Sequence, residues 1–502
     1  MFKQTHQEPL MISTYYTFCK VIRNQIFYRG VEDGIRVQYF EDYYPTLFVK
    51  NQDTNSKHKD IYGNPVGPIK PGTIKETKDW IRQYDGISNF GILGNQNYHY
   101  TYLSDKFKGK LDYTQFDSSH TVIANLDIET SSSNGFPEPD VAREPIIAIA
   151  VKANNHFTVF GCNSYITDRK DVTYVECDDE KDLIEEFLAY WEKLAPDIIT
   201  GWNIQYFDIP YLVNRITKVL GEKAAKRLSP SGYLSSRENE YYGKVAIITE
   251  LMGISTLDYQ EIYRKYVLEP RESYSLNYIS SLELGEKKIS YEEQGNLQSL
   301  YENDFQKFID YNIKDVELVD KLEKKLRLIE MMMIIAYSAK VNFADCLAQT
   351  RLVDSLIFNF LRSRDRVVPE QKVGRKDEKF RGAHVKPPIR GAYHYIATLD
   401  AKALYPSLII QNNISPDTIS DEYKDVEIED LIDKKYDLSY LKEKNLSLCA
   451  NGHHFDISTP GFLAEILMEM VQSRDHYKSL KIENEKKLEE IEIEMKRRGI
   501  AP

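Results

Sequence analysis

Two carboxylates separated by one residue stand at the end of an apolar stretch near residue 125. In Thr121-Val-Ile-Ala-Asn-Leu-Asp127-Ile-Glu129-Thr130 the apolar beginning predicts a buried strand, whose side chains alternate between its two faces. Asp127 and Glu129 are therefore expected on one face, about 7 Å apart. Carboxylates this close repel each other unless something neutralises them. A divalent cation with oxygen ligands, Mg²⁺ or Mn²⁺, would do so; the alternative is an exposed acidic strand end.

Three further side chains could complete a site around this pair. Asp208 lies in a turn ahead of a predicted helix, and Tyr311 and Asp315 lie four residues apart on one face of another. Two divalent cations about 4 Å apart can hold an attacking water and a leaving 3′ oxygen in line, and such a pair needs shared carboxylates. Tyr311 could orient the water through its hydroxyl. Taken singly, Asp208 could be a helix N-cap, Tyr311 a core residue and Asp315 a solvated acid.

The composition indicates a large globular chain. With 502 residues, of which 42% are hydrophobic and 12% aromatic, several domains are expected. The net charge of −12 argues against nucleic-acid binding, but a local basic groove matters more than the sum. The five cysteines lack metal-ligand spacing, which favours reduced thiols in a cytosolic setting. No apolar run approaches 18 residues, so no membrane span is expected.

The elements that must position the carboxylates follow an α/β pattern. Buried strands are predicted at Thr121–Thr130, Pro145–Val151, His156–Gly161 and Asp197–Gly201. Helices are predicted at Glu180–Leu194, from Asp208 through Arg215, and at Tyr301–Glu330, the last carrying both Tyr311 and Asp315. Strands alternating with helices fit an α/β layer fold.

Other elements flank this α/β stretch. Short strands are expected from Ile12 to Lys50, followed by a loop from Asn51 to Lys75. Pro230–Ile248 is expected to form a protruding hairpin. Farther along the chain, Ile396–Asp400 predicts a strand and Phe462–Arg498 one long helix.

In this order the motifs resemble those of the family B DNA polymerases, particularly the replicative polymerases of T-even-type bacteriophages. The three exonuclease motifs of that family match Leu126–Thr130, Thr200–Tyr211 and Tyr311–Asp315. Its polymerase motif A matches Leu399–Ile409, and the loop Asn134–Pro139 is similar to the phage type. The resemblance covers nearly the whole chain.

For the first three motifs the resemblance implies a 3′→5′ proofreading exonuclease with an RNase H-like core. Asp127 would then bridge two divalent cations, Mg²⁺ or Mn²⁺. Glu129 and Asp315 would serve one cation and Asp208 the other. Tyr311 would serve the nucleophilic water.

The resemblance also implies residues that bind DNA and nucleotides. Positions matched to DNA-binding residues are Phe136, Asn203, Phe380, Gly382 and Ala383, and the Pro230–Ile248 hairpin would help to part the primer end from its template. Positions matched to nucleotide-binding residues are Leu404, Tyr405, Arg474 and Lys478. Asp400 would be a ligand of the polymerase metal pair, and Tyr405 a steric gate against a ribose 2′-OH. Alternatively, Tyr405 could be a packed core tyrosine, and Arg474 and Lys478 could be ordinary solvated charges.

The expected fold is an α/β multidomain chain. An RNase H-like exonuclease domain at 118–328 would be joined by a discontinuous N-terminal domain at 1–117 and 329–386. The first parts of a polymerase palm and fingers would occupy 387–455 and 456–502. The family's palm motif Asp-Thr-Asp does not occur in the 502 residues, so Asp400 has no partner aspartate in this sequence.

The expected function is that of an N-terminal subunit or fragment of a DNA-directed DNA polymerase with a complete exonuclease. It would act on primer-template DNA, single-stranded 3′ ends and dNTPs in the cytoplasm of an infected bacterium. A second polypeptide would supply the other fingers helix, the Asp-Thr-Asp motif and the thumb. One alternative is a stand-alone exonuclease with a vestigial motif A, against which the retained Asp400 and Tyr405 argue. Another is a non-catalytic nucleic-acid-binding scaffold, against which the complete carboxylate set argues.

Overall fold

The computed structural model describes residues 14–84, 87, 90–109, 118–133, 135–241, 244–369, 385 and 387–500. Strands within these residues are β1 Tyr15–Ile22, β2 Gln25–Glu32, β3 Ile35–Glu41, β4 Leu47–Lys50, β5 His58–Asp60, β6 Pro65–Ile69, β7 Ile92–Leu93, β8 Ile123–Thr130, β9 Ile146–Ala153, β10 His156–Gly161, β11 Val172–Glu176, β12 Ile198–Gly201, β13 Leu234–Tyr241, β14 Lys244–Leu251, β15 Ser255–Asp258, β16 Arg366–Val367, β17 Ile419–Tyr423, β18 Leu446–Leu448 and β19 His453–Asp456.

The helices of the described residues are α1 Ile74–Tyr84, α2 Tyr98–Lys106, α3 Glu180–Leu194, α4 Asp208–Leu220, α5 Glu222–Ala225, α6 Tyr259–Tyr266, α7 Leu276–Leu284, α8 Leu297–Asn303, α9 Phe305–Leu326, α10 Leu328–Ala339, α11 Gln349–Ser363, α12 Leu404–Asn412, α13 Ile428–Ile432, α14 Ser439–Glu443 and α15 Phe462–Arg497. Short 3-10 turns lie at Ser118–His120, Lys226–Leu228, Glu292–Gln294 and Phe343–Leu347. None of the helices in this described part combines the length and the apolar character needed to cross a bilayer.

The chain divides into two compact units. The first contains the described residues within 1–45, 70–85 and 97–356. The second contains those within 46–69, 86–96 and 357–502.

A six-stranded sheet with the order β11-β10-β9-β8-β12-β15 forms the centre of the first unit. β9 runs antiparallel to both of its neighbours, while the other adjacent pairs are parallel. One face of the sheet packs on α3 and α4, and Leu126 of β8 lies in that core with Phe187. The other face packs on α9, where Ala150 meets Phe308. Helical layers on both faces confirm the predicted mixed α/β architecture.

The first unit also holds an antiparallel sheet of β1, β2 and β3 that packs on α10. Its core is rich in tyrosine, and the Tyr16 hydroxyl donates to the Val341 carbonyl at 2.7 Å. Arg29 of β2 reaches Asp197 at 3.2 Å, a buried ion pair immediately before β12. This pair fixes the start of a strand whose far end faces the carboxylate pair.

The second unit contains two small sheets. One has the order β16-β5-β6-β4-β7 and the other the order β17-β19-β18. β5 and β6 lie within Asn51–Lys75, so the prediction of a continuous loop there is wrong. The turn residues of that segment connect short strands rather than forming an unpaired loop.

Two other predicted elements differ from the structure. Tyr301–Glu330 is not one helix, because the chain breaks at Asp304 and again at Arg327, where the backbone is left-handed with φ 52°. Ile396–Asp400 forms no strand: none of the described strands pairs with it, and Leu399 is 94% exposed. A strand depends on neighbours for its hydrogen bonds and its packing, and this segment has neither within the described chain.

Candidate metal centre

Three carboxylates converge between β8 and α9. One oxygen from each of Asp127, Glu129 and Asp315 lies within 4.8 Å of the other two. Asp127 and Glu129 reach this point together because residues two apart on a strand share a face. Asp315 meets them from α9, which covers that face of the sheet. Oxygens this close can share a small cation.

Asp208 adjoins this cluster from the start of α4. Its side chain is buried, and its Oδ1 accepts a hydrogen bond of 3.0 Å from the backbone N–H of Ile128. Ile128 lies between the two acids of β8, so this bond joins Asp208 to the strand that carries them. Asp208 is not a helix N-cap, because it is the first residue of α4 and Phe207 occupies the capping position.

Burial and mutual repulsion raise the pKa values of these carboxylates. Burial first, and then the charge of Asp315, raises the pKa of Glu129 to about 8. Burial raises the pKa of Asp208 to about 7. Burial and the charge of Glu129 raise the pKa of Asp127 well above its usual range. Clustered carboxylate oxygens with this unmet charge are the donor set that Mg²⁺ and Mn²⁺ prefer, so the residues present fit a divalent cation.

Lys288 supplies a positive charge that the sequence analysis missed. Its Nζ donates to Asp315 Oδ2 at 2.5 Å and to the Tyr311 hydroxyl oxygen at 3.1 Å. Burial alone would lower the pKa of Lys288, but Asp315, Tyr311 and Asp127 together outweigh burial and raise it. Lys288 lies outside the recognised motifs, so no spacing pattern could single it out.

Tyr311 is buried beside this lysine and keeps its proton. Burial, followed by the charge of Asp315, raises the pKa of its hydroxyl. Its ring also lies edge-on to Tyr291, with 5.5 Å between the ring centroids. The hydroxyl therefore remains a hydrogen-bond donor at neutral pH.

Asn312 is a second residue missed by the sequence analysis, although it lies inside the third motif. Its side chain is fully buried, and its Nδ2 donates to Asp127 Oδ2 at 2.7 Å. Asn312 follows Tyr311 directly, but only the packing of α9 on β8 shows that it faces Asp127.

The turn after β12 holds Asn203 in a left-handed conformation with φ 65°. The fully buried Asp258, also missed, accepts from the backbone N–H groups of Asn203 at 3.1 Å and Gln205 at 3.0 Å. Gly201 precedes this turn, and a Cβ there would overlap the carbonyl oxygen of Leu126. The glycine therefore permits β12 to approach β8 next to the carboxylates.

An open groove of about 710 Å³ adjoins the cluster and contains Asn203, Lys288 and Tyr311. Trp202 and Tyr274 also line it, with the guanidinium of Arg264 3.9 Å from the centroid of the Tyr274 ring. The predicted DNA-binding residue Phe136 is 84% exposed, and its ring centroid lies 6.4 Å from that of Phe207. The site therefore opens to solvent through an aromatic and cationic surface.

The residues predicted for the polymerase lie in the second unit. Asp400 is exposed in an irregular segment, and Leu404 and Tyr405 open α12, the tyrosine with 79% exposure. Arg474 and Lys478 are exposed on α15. Lys402 pairs with Asp475 of α15 at 2.7 Å, which joins the motif A segment to the helix that carries both cations.

Phe380, Gly382 and Ala383 lie outside the described residues. In the described part of the chain, Asp400 belongs to no cluster of three metal-binding side chains.

Comparison with protein families gives two matches. A family model described as "DNA polymerase family B, exonuclease domain" matches residues 96–279, and one described as "DNA polymerase family B" matches residues 343–497. The first match covers β8 and α4, which carry Asp127, Glu129 and Asp208, and the second covers α12 and α15.

Curated relatives agree with these matches. The DNA-directed DNA polymerase of Escherichia phage RB69 is 34% identical over 450 residues, which are 83% of this chain and 49% of the relative. That of Enterobacteria phage T4 is 33% identical over 442 residues, which are 82% of this chain and 48% of the relative. The DNA polymerase delta catalytic subunit of Plasmodium falciparum is 30% identical over 398 residues, 72% of this chain and 34% of the relative.

The chain therefore spans about half the length of the two phage relatives it matches. Each of these relatives is a single long chain, and the expected second polypeptide finds no support among them.

Proposed function

This chain belongs to the family B DNA polymerases, and on that premise we propose that its first unit hydrolyses the 3′-terminal phosphodiester bond of single-stranded DNA. The observation that carries the proposal is the convergence of Asp127, Glu129 and Asp315 within 4.8 Å, with Asp208 beside them. A central sheet in which β9 alone runs antiparallel supports an RNase H-like core.

The four acids would hold two divalent cations, Mg²⁺ or Mn²⁺. Bound there, such cations supply positive charge that acidifies a water molecule and stabilises charge on the reacting phosphate. Asp127 is the best placed of the four to serve both, because it interacts with each of the other three acids.

Tyr311 and Lys288 act on the water and on the substrate phosphate. Lys288 donates to the hydroxyl oxygen of Tyr311, and the Tyr311 hydroxyl is in turn hydrogen-bonded to Asp315. In this network the hydroxyl would orient the attacking water. The water oxygen adds to the terminal phosphorus and the bond from phosphorus to the 3′ oxygen breaks. The products are a nucleoside 5′-monophosphate and a strand with a new 3′-hydroxyl. The ammonium of Lys288 offsets the negative charge of the incoming phosphate.

The adjoining groove suits a single strand. Trp202 and Tyr274 offer rings on which bases can stack, and Arg264 and Lys288 offer cations for the phosphates. The hairpin of β13 and β14 supports a role in parting a primer end from its template, since Val245 near its turn is 69% exposed.

We also propose that the second unit contributes half of a polymerase active site. Asp400 would bind a metal ion, and Tyr405, Arg474 and Lys478 would contact the incoming dNTP. The ion pair of Lys402 with Asp475 supports this arrangement. The family's Asp-Thr-Asp motif does not occur among these 502 residues, so this proposal concerns only the four residues named.

Shortening of a 5′-labelled oligonucleotide in Mg²⁺ tests the nuclease. We expect the parent chain to remove nucleotides from the 3′ end. Asp127→Ala with Glu129→Ala should cost several orders of magnitude in rate, because the ligand shared by both cations and a ligand of one of them are lost. Glu138→Ala with Asp140→Ala is the matched control, since these two acids have the same spacing and are exposed. Digestion by the Asp127/Glu129 variant at the parent rate would show that the site is assigned wrongly.

A further inference from the structure

Asp127 depends on one neutral donor for its orientation. Within the described chain, Asn312 is the residue whose side chain donates to it, through Nδ2 and at 2.7 Å from Oδ2. The bond spans 185 positions of sequence and joins α9 to β8. It leaves the other carboxylate oxygen, and the second lone pair of Oδ2, open to a cation.

The amide of Asn312 is oriented by this contact rather than by its own hydrogen-bonding needs. Its side chain is fully buried, and its Oδ1 finds no hydrogen-bond partner among the described residues. Buried amide oxygens are normally satisfied. The orientation of the Asn312 amide is therefore stabilised by its hydrogen bond to Asp127, although that orientation leaves Oδ1 without a partner among the described residues.

A neutral donor also suits this position chemically. Lys288 pairs with Asp315 and cancels part of its charge, in competition with a cation. An amide at position 312 fixes the carboxylate of Asp127 without adding a positive charge that would compete with a metal ion.

We propose that Asn312 is a positioning residue that fixes Asp127 for divalent-cation binding, an inference that rests on the nuclease proposed above. The residue acts through Asp127 and touches neither the cation nor the DNA. Loss of a partner that orients a metal ligand typically lowers metal affinity or activity by about 10- to 100-fold.

Asn125 offers a matched control. Asn125 lies on the same face of β8 as Asp127 and is 6% exposed. Like that of Asn312, its Oδ1 has no hydrogen-bond partner among the described residues. Its Nδ2 donates to the backbone carbonyl of Val316 at 2.8 Å rather than to an acid. Replacing either asparagine with leucine removes one buried hydrogen bond from the same interface between α9 and β8.

Binding of Mn²⁺ to the 502-residue chain, followed by the electron paramagnetic resonance signal of free Mn²⁺, tests the inference. We expect Asn312→Leu to weaken Mn²⁺ binding by about 10- to 100-fold and Asn125→Leu to change it by less than about twofold. Nuclease activity of Asn312→Leu should be low at limiting Mn²⁺ and recover at saturating Mn²⁺. Asp127→Ala should not recover. Circular dichroism checks folding, and Asn312→Ala should give the same loss if the leucine variant does not fold.

Two failures are distinguishable. Mn²⁺ affinity of Asn312→Leu or Asn312→Ala equal to the parent's, or an equal loss in Asn125→Leu, would overturn the positioning role while the nuclease stands. A parent chain that neither binds Mn²⁺ nor shortens DNA, or an Asp127→Ala variant that binds Mn²⁺ as the parent does, would overturn the nuclease itself.

Discussion

Lys288 places one positive charge among four carboxylates, of which Glu129, Asp208 and Asp315 are buried and Asp127 is half-buried. Its removal is a test at the scale of a single residue. Lys288→Met keeps the unbranched chain up to the ε position but removes the ammonium group and with it the bonds to Asp315 and Tyr311. We expect the nuclease rate at saturating Mg²⁺ to fall about 10²-fold, the loss typical of a positioned electrostatic group. Lys287→Met is the control, because Lys287 is adjacent and exposed. Equal rates for the two variants would show that Lys288 has no part in the reaction.

The raised pKa of Glu129 predicts how stability depends on pH. Folding moves that pKa from its ordinary 4.5 to about 8, so between these values the folded state holds more protons than the unfolded state. The stabilisation from this group is therefore complete below about pH 4 and is lost as the pH rises through the folded value. In EDTA, the melting temperature of the parent should fall relative to Glu129→Gln as the pH rises from 5 to 8.

Divalent cations should oppose this loss. They bind the charged carboxylates of the folded chain, so Mg²⁺ should raise the melting temperature more at pH 8 than at pH 5. Differential scanning fluorimetry across this range, with and without Mg²⁺, measures both effects. A constant difference between the parent and Glu129→Gln at every pH would contradict the account.

Side-chain alternation predicted Asp127 and Glu129 on one face of a strand, and four-residue spacing predicted Tyr311 and Asp315 on one face of a helix. Neither period indicated Asp208. The same reasoning could not find Lys288, Asn312 or Asp258. Lys288 reaches Asp315 across 27 positions, and Asn312 reaches Asp127 across 185. Such contacts depend on how the helices pack on the sheet, and the periodicity of side chains within one element does not predict them.

At the scale of elements, the close approach of β12 to β8 positions the acids. Gly201→Ala would place a methyl group against the Leu126 carbonyl oxygen, one residue before Asp127. We expect a loss of about 1–3 kcal/mol in the free energy of unfolding, as for other overpacked sites, together with a lower nuclease rate. Gly67→Ala is the control, because the nearest atom there is an Asn51 side chain at 3.5 Å. Thermal unfolding and nuclease assays measure both effects. Equal stability and equal nuclease rate for Gly201→Ala and Gly67→Ala would contradict this role of Gly201.

Helices with a sustained hydrophobic pattern were predicted correctly, whereas elements that depend on contacts with other parts of the chain were not. Glu180–Leu194 was predicted with the bounds that the structure has, because its apolar stripe and its capping Asp179 are both local signals. The break at Arg327 could not be predicted, since the helical pattern continues across it. Ile396–Asp400 reads as a strand in the sequence, but it lacks a partner strand within the described residues.

At the scale of the whole molecule, the two sets of predicted residues fall into different compact units. The clustered acids and Lys288 belong to the first unit, and Asp400, Tyr405 and Arg474 belong to the second. The proposed nuclease site therefore draws its described side chains from one unit. The net charge of −12 is a sum over the whole chain, so it does not show how positive and negative residues are distributed between the two units.

The central claim is that the acids of the first unit hold divalent cations, and anomalous X-ray scattering from crystals soaked in Mn²⁺ and a nucleoside 5′-monophosphate tests it most directly. We predict two Mn²⁺ peaks about 4 Å apart among the carboxylates of Asp127, Glu129, Asp208 and Asp315. Density without Mn²⁺ at these acids, in crystals that bind the ion elsewhere, would contradict the claim.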